Sequence, residues 1–133
     1  MMGEYVAKFL AQKGHGAYGG DIFLGFQPDE VDNCLTVYDE STPVLPESHG
    51  LGVDQFGIQI LVRDNSYTAA RDKAMAVYHD LAAFGGQFEP NAPQVTNVFV
   101  DGVPTSIGKD EKGRNEWTMH FRLRVENPTE HRL

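Results

Sequence analysis

From Asn115 to Val125 apolar and polar residues alternate without a break, Trp117, Met119, Phe121, Leu123 and Val125 against Glu116, Thr118, His120, Arg122 and Arg124. Successive side chains of an extended strand point to opposite faces, so this pattern predicts a strand with one face on a core and the other polar. A register slip of one residue would carry all five apolar side chains to solvent, which holds such a strand to one pairing. A chain built around it needs partner strands on either side and a second layer over the apolar face.

The partners are legible at lower contrast. Phe56, Ile58, Ile60 and Val62 alternate with Gln55, Gly57, Gln59 and Leu61, and Arg63-Asp64-Asn65 marks the end of that strand. Asn33 to Tyr38 is strand-like, with Cys34, Thr36 and Tyr38 on one side of the pleat and Leu35 and Val37 on the other; Asp21 to Phe26 suits a buried strand that Pro28 stops. Val95 to Val100 is a further strand, and Asp101-Gly102-Val103-Pro104 has the chemistry of a hairpin turn. Gly113, just before the strongest strand, can supply the positive φ of another.

Two segments carry helical spacing. Tyr5, Val6, Phe9 and Leu10 predict a short helix over about Glu4 to Lys13, with Gly14 able to end it. Ala70, Ala74, Val77, Tyr78, Leu81 and Phe84 form a second stripe, with Asn65 or Ser66 as N-cap and Gly85-Gly86 closing the helix. Its many alanines permit close approach to a sheet. The fold class expected is α+β, a mainly antiparallel β-sheet with one long and one short helix packed on one face. At 133 residues the chain fits a single domain, 1–133, and residues 39–53, rich in Pro, Gly and polar side chains, are expected to form a projecting loop.

Chemistry is sparse. Gly14, Gly16 and Gly19 have the spacing of a dinucleotide fingerprint, but that motif works after a strand and at a helix N-terminus, and here the order is reversed. His15, His49, His79, His120 and His131 are scattered, with no pair one helical turn apart, and Cys34 is the only cysteine, so neither a four-cysteine zinc site nor an internal disulfide can form. Burial in an apolar strand raises the pKa of a thiol, which argues for Cys34 as core and not as a nucleophile. Asp29, Glu30 and Asp32 lack the ligand spacing and glycine of a calcium loop and read as a solvated turn; Trp117 reads as core. No cofactor or metal is expected, and no enzymatic activity. The net charge of −8 disfavours specific nucleic-acid binding, no stretch is long and apolar enough to span a bilayer, and the N-terminus has no export signal, so synthesis in a cytoplasm is expected.

Taken in order, Asp21-Ile22-Phe23-Leu24-Gly25, Asn33-Cys34-Leu35-Thr36-Val37-Tyr38, Gln59-Ile60-Leu61-Val62-Arg63 and Ser66-Tyr67-Thr68-Ala69-Ala70 resemble the minor capsid or tail terminator family of long-tailed bacteriophages. The run from Asp110-Glu111-Lys112-Gly113-Arg114 through Asn115-Glu116-Trp117-Thr118-Met119-His120-Phe121 resembles that family's last turn and strand, so the likeness covers nearly the whole chain. One departure is His120, where many relatives are expected to carry Asn.

The resemblance implies a structural virion protein at the head–tail junction, made in the bacterial host cytoplasm. It implies a homo-oligomeric ring, of six subunits, that stops tail-tube growth and gives the filled head a docking surface. Its partners would be further copies of itself, the tail tube protein and a head connector or completion protein, with DNA passing through the ring. Acidic residues around that channel would repel the phosphates of the passing genome. As charged groups at strand ends where neighbouring subunits could meet, Arg63, Asp110 and Arg114 are the expected subunit-interface residues. A head-completion or connector adaptor and a generic protein-binding module are the competing readings.

Overall fold

A computed structural model of the chain describes residues 2–40 and 53–126. Helix α1 spans Met2–Gln12, followed by strands β1 (Ile22–Leu24), β2 (Cys34–Glu40) and β3 (Val53–Asp64), helix α2 (Tyr67–Ala82), and strands β4 (Gln94–Val100), β5 (Thr105–Lys109) and β6 (Asn115–Glu126). The strands make one sheet in the order β1-β2-β3-β6-β4, with β5 also on β6. Only β1 with β2 is parallel; every other pair is antiparallel.

The strand announced by the alternating pattern is β6, and it lies inside the sheet. It pairs along its full length with β3, from Val53 opposite Glu126 to Asp64 opposite Asn115. Trp117, Met119, Phe121, Leu123 and Val125 are buried, as are Ile58, Ile60 and Val62 of β3 and Leu35 and Val37 of β2. Both helices cover this face, α1 on β1 and β2 and α2 on β3, β6 and β4, which is the expected α+β arrangement. Each large side chain buried this way contributes about 1.5–3 kcal/mol relative to exposure.

Sequence signals set the helix ends. Gly14 adopts φ +88 and His15 N–H bonds the Leu10 carbonyl at 3.1 Å, closing α1. The His15 imidazole then meets the Asp80 carboxylate at 2.6 Å, tying the end of α1 to α2. Ser66 is the N-cap of α2, its hydroxyl accepting the Ala69 N–H at 3.2 Å.

The structure corrects three expectations. Helix α2 ends at Ala82, ahead of Phe84, because Phe84 leaves the helical stripe to stack on Phe88 at 4.0 Å between centroids and to meet Phe9 edge-on. Asp101–Pro104 is not a hairpin: β4 and β5 both run antiparallel to β6, Val100 opposite Phe121 and Thr105 opposite Thr118, so they form one interrupted strand along one side of β6. The hairpin lies between β5 and β6, where Gly113 adopts φ +77 and its N–H bonds the Asp110 carbonyl at 3.0 Å. In the expected loop 39–53, Asp39, Glu40 and Val53 are strand residues; residues 41–52 lie outside the described ones.

Candidate functional site

The second face of the sheet is open to solvent except at one corner. Parallel β1 and β2 need a crossover, and here it is only residues 25–33, too short to hold a helix. Side chains from β3 and the β5–β6 turn reach this segment, so it lies as a strap over the sheet corner where β2, β3 and β6 meet. Two arginines hold it. Arg63, in β3, stands between Cys34 of β2 and Glu116 of β6 and is buried at 4% exposure. Its guanidinium donates to the backbone carbonyls of Pro28 and Val31, and among the described residues it has no carboxylate partner. A buried cation with two carbonyl acceptors ties strap to sheet in one geometry, since freeing either carbonyl inside would cost a hydrogen bond.

Arg114, in the β5–β6 turn and 2% exposed, is the second tie. It pairs with Asp110 at 2.7 Å and Asp29 at 2.9 Å, reaches Asp32 at 3.3 Å, and donates to the Asp29 carbonyl at 2.6 Å. Asp110 also accepts the Arg114 N–H at 2.9 Å and the Lys112 N–H at 3.0 Å, so the same carboxylate shapes the turn and orients the arginine. Lys112 closes the outside with an ion pair to Asp29 at 2.6 Å. The hydrogen bonds from Lys112 and then Arg114 hold the Asp29 carboxyl below the usual carboxylate range, and Arg114 does the same for Asp110. Those carboxylates, Asp110 foremost, push the Arg114 guanidinium further toward its charged form.

Between strap and turn lies an open cleft of about 430 Å³, walled by Gln27, Asp29, Arg63, Lys112, Arg114 and Glu116 among others. Its charges are largely engaged with one another, so it is a seam between two segments and not a pocket with polar groups converging on a ligand. Cys34 is buried beside Arg63; burial raises its thiol pKa, partly opposed by the arginine, as the strand pattern predicted. Among the described residues no group of three or more His, Cys, Asp or Glu could hold a metal ion, and no helix is long and apolar enough to cross a membrane.

The structure therefore brings the three expected interface residues, Arg63, Asp110 and Arg114, to one corner. Both guanidinium groups are used within the chain, and Asp110 is mostly covered. The acidic group 29–32 is an exposed turn, as expected, but Asp29 and Asp32 also face Arg114. Sequence reading missed this strap. A cue was present: residues 14–62 contain no Lys or Arg and eight Asp or Glu, the whole net charge of −8, so acids there must face solvent or a cation from elsewhere in the chain. His120, the departure noted above, faces Glu40 at 3.0 Å across the open face.

Residues 9–127 match the family described as "Bacteriophage tail terminator protein". The chain belongs to that family. A tail terminator is a structural protein of the phage virion, which points away from catalysis. No curated protein matches the chain. Among solved structures, a chain from the "Virion of native gene transfer agent (GTA) particle" is similar in fold, with a TM-score of 0.57 at 16% identity over 92% of this chain and 84% of that one. The α+β sheet with helices on one face is thus shared across sequences that retain little identity.

Proposed function

We propose that this tail terminator closes the phage tail tube at its head-proximal end, as a ring of six copies, and presents the surface on which the head connector or completion protein docks. The observation that carries this reading is the family match, which runs from α1 through the end of β6. A closed ring of head-to-tail contacts has two different faces, which suits one face for the tube protein and one for the head. The net charge of −8 suits a ring through which DNA passes without being held. The chain is made in the host cytoplasm and ends at the head–tail junction of the virion. Arg63, Asp110 and Arg114 serve the subunit boundary as positioning residues, fixing the strap and turn that a neighbour meets.

The test is to add purified protein to growing tail tubes and score tube length and end density by negative-stain microscopy. Uniform tubes with a ring at one end are expected. Uncapped tubes of unchanged length would overturn capping and leave a head-side adaptor as the better reading.

A further inference from the structure

Four buried side-chain polar atoms have no hydrogen-bond partner among the described residues: Gln27 Oε1, Thr36 Oγ1, Arg63 Nε and Trp117 Nε1. Trp117 stands on the helix-covered face, whereas the other three belong to the corner under residues 25–33. Arg63 and Thr36 project from the face of the sheet away from the helices, Arg63 opposite Cys34 of β2 and Thr36 two residues further along the same side of that strand. A long side chain reaches such a diagonal neighbour. Gln27 precedes Pro28, whose carbonyl Arg63 holds, and its amide donates to Glu116, the residue opposite Arg63 in β6. The Gln27 side chain therefore crosses toward the position that Arg63 occupies. Thr36 is fully buried, and Arg63 nearly so.

An unmade hydrogen bond inside a protein carries the full desolvation penalty of its group, so buried polar atoms nearly always find a partner. Three of complementary chemistry at one corner point to a shared one. Arg63 Nε–H can only donate, Gln27 Oε1 can only accept, and the Thr36 hydroxyl can do either. Whatever satisfies them must accept and donate at once. A metal cation would face the Arg63 guanidinium, and an anion would suit the arginine but oppose Gln27 Oε1 and the Glu116 carboxylate. A side chain from another molecule is too large for atoms that the strap covers from outside. Water is small enough, serves in both roles, and when buried makes about three hydrogen bonds to groups left otherwise unpaired. A way in exists, because Gln27, Arg63 and Glu116 wall the cleft of about 430 Å³ beside the strap, and the Gln27 amide is held to Glu116 at 3.2 Å. A small shift of that amide opens the cleft onto the covered atoms.

We infer that the strap is seated on internal water, which enters from the cleft and links Arg63 Nε–H and Gln27 Oε1 with the Thr36 hydroxyl. The strap is then joined to the sheet by two kinds of directed bond, arginine to carbonyl and protein to water, and a bridging water is nearly as good a partner as a direct contact. This site goes beyond the capping reading and does not depend on it.

Nuclear and rotating-frame Overhauser spectra of the wild-type chain, read between water and the Arg63 Nε–H, test for it. A water that tumbles with the protein should give cross-peaks of opposite sign in the two spectra, which separates it from proton exchange and from passing solvent. Thr36→Val supplies an independent reading, since it keeps the shape of the side chain and removes the hydroxyl. If that hydroxyl bonds to water, the folding equilibrium constant should fall about fivefold in urea unfolding, the loss of one ordinary hydrogen bond. A hydroxyl buried without a partner predicts the reverse, a more stable variant. Absence of the cross-peak at Arg63 would overturn the proposal whatever the variant does. A cross-peak accompanied by an unchanged or more stable Thr36→Val would overturn the shared site and leave a hydrated arginine alone.

Discussion

On the helix side of the sheet, side chains from β2, β3 and β6 meet α1 and α2 in an apolar core, where Phe121, Met119, Leu123 and Ile60 are fully buried. On the other side, the corner under residues 25–33 is held by two arginines, their carbonyl acceptors and a group of aspartates. The first cover is non-directional and scales with apolar area; the second depends on a few directed bonds to buried cations. Loss of one atom group should therefore act differently on the two sides. The core tolerates partial loss by relaxing around it, while the strap loses its position when its tie is cut.

The largest effect should come from the core. Phe121→Ala removes a ring packed at 6.4 Å from Tyr78 and buried at 1% exposure, and is expected to cost about 3–5 kcal/mol in urea unfolding. The loss should be global, with hydrogen exchange quickened throughout the sheet. A loss confined to α2 would mean that helix and sheet do not unfold as one unit.

Arg63→Met should be smaller and local. The substitution keeps an apolar stem but leaves the Pro28 and Val31 carbonyls without their donor, which corresponds to about 1–3 kcal/mol. Amide exchange should quicken in residues 25–33 before the rest of the sheet. Equal quickening on the helix side would erase the distinction between the two covers.

The same contrast explains what could be read from residues alone. The helix-covered face was visible because burial by periodic elements leaves periodic sequence: the run from Trp117 to Val125 gave β6 its length, and the stripe from Ala70 to Leu81 gave α2 its buried face. The strap has no period. Its contacts join residues far apart, Arg114 to Asp29 and Arg63 to Pro28, and nothing local in 25–33 announces which side chains will cover it. Arg63, Asp110 and Arg114 were singled out as charged residues at strand ends, but their meeting at one corner follows from the pairing of β3 with β6, which no local pattern encodes. The 101–104 segment misled for a related reason: turn residues report a break in a strand, and the same chemistry serves a reversal and an interruption along one edge.

The smallest effect separates the two covers by pH. The carboxyls of Asp29 and Asp110 are held below their ordinary values in the folded chain by Lys112 and Arg114. A carboxyl depressed by folding stabilises the folded state above its unfolded pKa of about 3.9, and that contribution fades as pH falls through the lower folded value. Strap protection should thus be constant from neutral pH down to about 4 and decline below it. The buried side chains of Met119, Phe121, Leu123 and Ile60 carry no titrating group, so protection around them should fall only when the whole chain unfolds. Asp110→Asn keeps an oxygen able to accept the turn N–H groups but removes the charge beside Arg114, and should flatten the acid dependence of the strap by lowering its protection at pH 7 toward the level that the wild type shows in acid. A strap whose exchange rises with acid equally in wild type and Asp110→Asn would assign the dependence to Asp29 alone, and the weight of the corner would then rest on the bridge from Lys112 and Arg114 across to the strap, not on the turn that carries them.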